Sequence, residues 1–231
     1  DSGSEIISRW CTSAVNVGKV EYSKIITYNI VMAELIVVHG TPGSGKSLHS
    51  TRVCEIQLVD RPVFHISAGD RLRAISSGSV KSQFKPKIDA QKSELLKSAP
   101  LTHEVVNAVI FEYISQCPPS AIVLVDGFPR FVQQLDLFTL SIKNGGHRLL
   151  GCIKLDISKD TCLDRIVGRG SRTGEMNITP AFIEQRYLEY ISHTSDTITI
   201  LGRVTPMKDV NAELSVDSVW TSFCQAILEL V

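Results

Sequence analysis

No apolar run in this 231-residue sequence approaches the ~18 residues that a membrane-spanning helix requires, so a partner or location in the bilayer is not expected. No charge of either sign prevails. With 24 Lys and Arg against 24 Asp and Glu, the chain has neither the basic surplus of a nucleic-acid binder nor an attraction to anionic lipid, and electrostatic recognition is confined to a local anion site. No CxxC pair and no histidine cluster accompanies the scattered Cys11, Cys54, Cys117, Cys152, Cys162 and Cys224. That spacing argues against a structural metal and a disulfide framework, and reads the thiols as small buried hydrophobes. Internal repeats and low-complexity tracts are absent as well.

Hydrophobic residues make up 43% of the chain, enough for the core of one sizeable domain and too many for disorder. Residues 1–32 stand apart. They lack a starting Met, form no secretory apolar region, and offset Arg9, Lys19 and Lys24 with Glu5 and Glu21. They are expected to be an N-terminal extension without an assignable role, followed by one domain over 33–231.

Within that domain, short β-rich apolar runs alternate with amphipathic stretches. Leu35–His39, Val63–Ile66, Ala121–Val125 and Leu150–Leu155 read as buried strands. Val105, Val106, Val109, Ile110 and Tyr113 share one helical face, and so do Val216, Val219, Trp220, Phe223, Ile227 and Leu230. Strand–helix alternation predicts a parallel sheet covered on both sides, with ligands at the carboxyl ends of its strands.

The segment Gly40-Thr-Pro-Gly-Ser-Gly-Lys46-Ser47 sits at such an end, between the first strand and a helix expected from Lys46. Gly40, Gly43 and Gly45 permit torsions and close approaches that a Cβ would block. Inward N–H groups and the helix's positive end then form a nest for phosphate oxygens. Lys46 supplies a mobile charge for the outer phosphates, and Ser47 can reach a bridging magnesium ion. By itself this loop indicates a nucleoside triphosphate and does not name an acceptor.

Two further stretches narrow the reading. Ser67-Ala-Gly-Asp70 is predicted to turn from the second strand into a helix, with Arg73 one turn inside it. In Val123–Gln134, Asp126 ends a strand beside the nest and suits water-mediated magnesium binding. Gly127-Phe-Pro then turns the chain and presents Arg130, a planar fork for phosphate, with Gln134 four residues on.

Together the glycine loop, Ser-Ala-Gly-Asp-x-Leu-Arg over 67–73 and Asp-Gly-Phe-Pro-Arg-x-x-x-Gln over 126–134 resemble the adenylate kinase group of nucleoside-monophosphate kinases. Val210–Trp220 resembles the segment of the short-lid enzymes that touches the ATP adenine, and Leu163–Gly170 resembles the helix entering the lid. The likeness spans about residues 33–231. It implies an α/β P-loop NTPase three-layer fold with a five-stranded parallel sheet, an NMP-binding insert over about 67–102 and a short lid over about 169–179. The implied reaction moves the γ-phosphoryl of ATP to a monophosphate, with Mg2+ as cofactor, in a cytoplasmic monomer. ATP would meet Gly40, Pro42, Gly43, Ser44, Gly45, Lys46, Ser47, Leu48, Arg165, Arg169 and Leu214. The monophosphate would meet Ser67, Ala68, Arg73, Leu101, Gly127, Phe128, Arg130, Gln134 and Arg186. Lys46, Arg130, Arg169, Arg172 and Arg186 would act on the transferring group. Such a transfer needs alignment, charge neutralisation and dryness rather than a protein nucleophile.

For the acceptor, the Gln134 amide suits adenine N6–H and N1; cytosine presents the same pair, and a flipped amide would match uracil. In the family Gln at this place goes with AMP, whereas Ala68 resembles the pyrimidine kinases. AMP is the expected acceptor, with a UMP/CMP kinase as the alternative. The pattern departs from the family where Ser47-Leu48-His49 replaces Gly-Thr-Gln, where Glu175 stands for an expected arginine, and where Asn177-Ile178 replace an aspartate pair. Arg172 either reaches the phosphates from a rearranged loop or is a solvated charge. Losing one preorganised positive group removes roughly 3 kcal/mol, about a hundredfold in rate. Slow turnover is therefore expected, and the alternative of another class is a nucleotide-binding interaction module with little catalysis.

Overall fold

The computed structural model describes residues 32–95, 101–173 and 179–231, with side chains described over 32–91, 101–168 and 179–231. Five strands, β1 (Ala33–Gly40), β2 (Val63–Ser67), β3 (Ala121–Asp126), β4 (Arg148–Asp156) and β5 (Met207–Asn211), form one sheet in the order β2-β3-β1-β4-β5. Every pairing is parallel. Central strands of a covered parallel sheet are apolar on both faces, and β1 and β3 are buried at every residue. All four predicted strands form. The fifth, β5, carries the sequence Met-Lys-Asp-Val-Asn, in which only Val210 is fully buried. An edge strand with one inward side chain leaves little periodicity to detect.

Strand alternation divides the core into two layers. Ile36, Val38, Ile122, Leu124 and Leu155 face one side, where Val53 of α1 (Lys46–Cys54) and Phe223 and Ile227 of α9 (Val216–Leu228) cover them. Leu35, Val37, Val123, Val125 and Cys152 face the other. Ile110 of α4 (His103–Ile114), Phe138 of α5 (Val132–Gly145) and Leu201 of α8 (Ser195–Val204) pack on that side. Each such side chain stabilises the fold by about 1.5–3 kcal/mol relative to exposure. The cysteines among the described residues are free, with Cys117, Cys152 and Cys162 buried.

A small satellite core joins Ile75 of α2 (Ala68–Ser77), Ile88 of α3 (Lys85–Leu95) and Val105 and Val109 of α4. This α2–α3 unit occupies the span expected for the NMP-binding insert. It packs partly on itself, while Ala68 and Leu72 of α2 also join the main layer on that side of the sheet. On the opposite flank run α6 (Lys159–Thr173) and α7 (Pro180–Glu189), continued through one π-turn, Tyr190–Thr194, into α8. At the amino ends of the strands, the buried Glu34 carboxylate accepts hydrogen bonds from both Arg61 and Arg148. Among the described residues no helix is long and apolar enough to cross a membrane.

Candidate functional site

The carboxyl end of β1 leads into α1 through a closed loop. Gly43 and Gly45 have φ of 80° and 86°, in the left-handed region that favours glycine. A Cβ on Gly40 would stand 2.6 Å from the Leu155 carbonyl oxygen, so that position is fixed by space. Ser44 N–H donates to the Thr41 carbonyl at 3.2 Å and closes the turn. The Lys46 ammonium donates to the same carbonyl at 3.3 Å. With α1 starting at Lys46, the loop presents backbone donors and the positive end of a helix to one point.

Parallel pairing of β1 and β3 sets Val38 opposite Asp126 and brings the carboxylate to that point. Asp126 is buried, and its Oδ2 accepts from the Ser47 hydroxyl and, at 3.3 Å, from His65 Nε2. His65 Nδ1 meets the Thr51 hydroxyl at 3.2 Å, which suits a ring donating from Nε2 and accepting at Nδ1. Burial alone would raise the Asp126 carboxyl. The His65 hydrogen bond, the Lys46 charge and the Ser47 hydrogen bond outweigh it and hold the group below the usual carboxylate range. The Lys46 ammonium titrates lower than usual, first through burial and then through Arg130 and Arg186, with Asp126 opposing. His65 is a site residue that the sequence reading missed; its signal is its place two residues before Ser67 on a strand paired with β3.

Beyond β3 the chain reverses at Gly127, whose φ is 68°. Gly127 N–H donates to Val38 at 3.0 Å, tying the turn to β1. The Arg130 guanidinium folds back, Nε donating to the Gly127 carbonyl at 2.8 Å. Its backbone N–H donates to Gln134 Oε1 at 2.8 Å, and its carbonyl accepts from the Thr197 hydroxyl at 3.2 Å. Arg130 is therefore anchored by both α5 and α8. Its guanidinium is open to water inside a cleft yet crowded by protein, and burial followed by the Arg186 charge lowers its proton affinity.

That cleft, 450 Å³ in volume, is lined by Gly40, Pro42 and Lys46 from the loop and by Gly127 and Arg130 from the turn. From the long helical flank, Arg186, Glu189, Tyr190, His193 and Thr194 face it, with Phe131 and His39 completing the wall. Arg186, Glu189, Tyr190, His193 and Thr194 follow the i, i+3, i+4, i+7, i+8 spacing of one helical face, and the π-turn Tyr190–Thr194 keeps that face on the cleft.

Several predicted contacts lie elsewhere. Ser67 caps α2, its hydroxyl accepting from Asp70 N–H at 3.4 Å, and Arg73 forms an exposed ion pair with Asp70. Ala68 is buried, Leu101 packs against the core, and Phe128 meets Phe138 edge-on at 5.7 Å. None of Ser67, Ala68, Arg73, Leu101, Phe128 or Gln134 lines the cleft. On the triphosphate side, Arg165 Cβ stands 3.6 Å from where a Cβ on Gly43 would lie. Leu48 and Leu214 expose apolar surface. Arg169 and Arg172 fall in the last turns of α6, but their side chains, and Glu175, Asn177 and Ile178, lie outside the described residues.

No group of three or more His, Cys, Asp or Glu side chains able to hold a metal occurs among the described residues. Magnesium does not need one, because it retains waters and takes most of its oxygens from bound phosphates. The adjoining Ser47 hydroxyl and Asp126 carboxylate are hard oxygen donors beside the nest and fit such an ion.

A family model described as an AAA domain matches residues 39–179. The chain is similar to adenylate kinase isoenzyme 1 of Homo sapiens, 32% identical over 194 residues that cover 83% of this chain and 92% of the relative. It is similar to the Sus scrofa isoenzyme 1, 31% identical over 83% of this chain and 93% of the relative. The adenylate kinase of Bacteroides thetaiotaomicron is 26% identical over 84% of this chain and 98% of its own length. The fold, the glycine loop and these relatives agree: the chain belongs to the adenylate kinase family.

Proposed function

We propose that the protein is a nucleoside-monophosphate kinase that catalyses ATP + AMP → 2 ADP. The observation that carries this reading is the convergence of Lys46, Arg130 and Arg186 on one cleft at the mouth of the phosphate nest. Two nucleotides can meet there by their phosphate ends. An oxygen of the AMP phosphate bonds to the γ-phosphorus, the bond from that phosphorus to the ADP oxygen breaks, and ADP leaves as the second product. Lys46 follows the β- and γ-phosphates, and the guanidinium forks of Arg130 and Arg186 neutralise the acceptor and the spreading charge without titrating near neutrality. Arg165 and Leu214 would border the ATP base, the Leu48 backbone N–H would meet its phosphates, and Arg73 would reach the acceptor phosphate from α2; Arg169 is assigned to the phosphates by its place in the family's pattern alone. Ser47 and, through water, Asp126 would hold a magnesium ion, which would supply positive charge to neutralise the ATP phosphates.

Gln134, buried beside Arg130 and outside the lining of the cleft as it stands, would read the acceptor base. Its Oε1 already takes the Arg130 N–H, so a flip of the amide would set NH2 against N–H and is disfavoured. Among the described residues its Nε2 has no partner, and it donates. A donor there suits adenine N1 or cytosine N3 and opposes uracil N3–H and guanine N1–H. This orientation favours adenine or cytosine over uracil, and the relatives support AMP. The likeness to the adenylate kinases is what supports reading the enzyme as a cytoplasmic monomer.

The test is ADP formation with ATP and a panel of AMP, CMP, UMP, dCMP and GMP. AMP is expected to saturate first, CMP to follow weakly, and UMP and GMP to stay near background. Arg130→Ala should lose at least about a hundredfold in kcat. ATP binding without transfer to any acceptor would replace this reading with that of a nucleotide-binding module, and saturation by pyrimidines alone would replace AMP.

A further inference from the structure

One residue on the wall of the cleft has no task in this mechanism. His39 is the penultimate residue of β1 and, with Glu34, one of only two polar side chains on that strand. It is 1% exposed and shares its face with Val37, in the apolar layer. It lines the cleft with Lys46, Arg130 and Tyr190, yet its Nε2 is sealed from solvent and has no hydrogen-bond partner. An unmatched ring nitrogen in such a place is costly, whereas Val or Leu would fill it freely. The expense suggests a ligand atom that completes the bond.

The charges around the ring define its state. Burial first, then Arg130 and Lys46, lower its proton affinity to a pKa of about 3, with Asp126 opposing. Arg186, Glu189, Tyr190 and His193 face the cleft from α7 and the π-turn, and Lys154 is its register partner on β4. The imidazole is therefore neutral, with one donor and one acceptor nitrogen. It is also close enough to feel both cations of the transfer path. Lys46 is tied to the loop through Thr41, and Arg130 to the acceptor turn through Gly127; His39 lines the same cleft as both.

We propose that His39 is a further phosphate-binding residue: its ring turns from the cleft wall when nucleotides bind, and its Nε2–H donates to an oxygen of the phosphoryl group as it passes between the nucleotide held by Lys46 and the one held by Arg130. This inference rests on the phosphotransferase reading above. The ring transfers no proton and forms no covalent bond. A neutral donor in mid-path stabilises the group most when its charge spreads over the equatorial oxygens, and adds little to the binding of either nucleotide alone. Its effect belongs in kcat more than in KM.

Two measurements decide the matter. In steady-state assays with ATP and AMP, His39→Leu is expected to lower kcat by about tenfold or more while each KM stays within about threefold. His39→Gln, which restores an N–H donor, should regain most of the loss. In wild-type protein labelled with 15N-histidine, addition of diadenosine pentaphosphate, which spans both nucleotide sites, should place the ring proton on Nε2 and move its resonance downfield. A His39→Leu enzyme as fast as wild type, equal slowing by Leu and Gln, or an Nε2–H resonance unmoved by the dinucleotide would each overturn the proposal. The resonance decides the case if His39→Leu does not fold. Wild-type protein that transfers nothing to AMP would overturn the kinase reading itself, and the dinucleotide titration then judges His39 separately.

Discussion

The two sides of the cleft are built by different means. The triphosphate side is mainly backbone: glycine torsions, a closed turn at Thr41–Ser44, the first turn of α1, and a carboxylate fixed by Ser47 and His65. The acceptor side is made of long side chains brought from separate elements, Arg130 from the turn after β3 and Arg186 from α7, with Arg73 outside the cleft on α2 and paired with Asp70. Backbone donors are aligned before a ligand arrives and lose little entropy on binding, whereas arginines must be ordered each time. The first side therefore suits firm capture of the common nucleotide. The second suits closure and discrimination.

The comparison breaks most severely at Gly40. A Cβ there meets backbone, the Leu155 carbonyl oxygen at 2.6 Å, as well as the Ser44 hydroxyl at 2.5 Å. Neither β4 nor the loop can yield without moving the nest. Gly40→Ala is expected to weaken ATP binding by about a hundredfold or more, as the loss of aligned charged hydrogen bonds implies. Fluorescent ATP-analogue titration measures this, and unchanged affinity would show that the loop adapts and is not preset.

Acid should act through the triphosphate side too. His39 has a folded pKa of about 3 against an ordinary 6.5, so below 6.5 the unfolded chain binds the proton that the folded chain refuses. Full stability is present above that value and is lost as pH falls toward the folded value. Asp126, also depressed when folded, loses its contribution in the same direction and lower down. From pH 6.5 to about pH 4 the His39 part amounts to roughly 3 kcal/mol. Urea unfolding at both ends of that range should show a smaller acid loss for His39→Leu than for wild type; equal losses would mean that the imidazole takes up its proton inside the fold.

The same contrast decides what the sequence could reveal. The loop from Gly40 to Ser47 is contiguous, so its torsional and helix-start requirements are visible residue by residue, as is the Ser67 cap of α2. Strands β1 and β3 declare themselves by being buried on both faces. The acceptor wall does not. Tyr190, His193 and Thr194 share a helical face with Arg186 and Glu189, but nothing in their own stretch says that this face meets the glycine loop and the turn after β3. His39 reads as the end of a strand until the cleft forms around it. Gln134 could be paired with Arg130 from their spacing, but the bond from the Arg130 backbone, which sets the direction of the amide, depends on where α5 begins.

The smallest effect, and the finest probe of the acceptor side, is at Asp70. Its ion pair with Arg73 is one turn of α2 in length, and both side chains are largely exposed, 63% and 72%. Such pairs contribute little, and Asp70 adds a modest interaction with the helix start, so Asp70→Asn should lower stability by less than about 1 kcal/mol. Its kinetic consequence separates two roles for Arg73. If the arginine must leave Asp70 to hold the acceptor phosphate, removing the competing carboxylate lowers KM for AMP by up to about threefold and leaves KM for ATP alone, since the exchanged partner is a screened surface charge. A change confined to ATP, or none at all, would place Arg73 outside the acceptor contacts and leave Arg130 and Arg186 as that side's working cations.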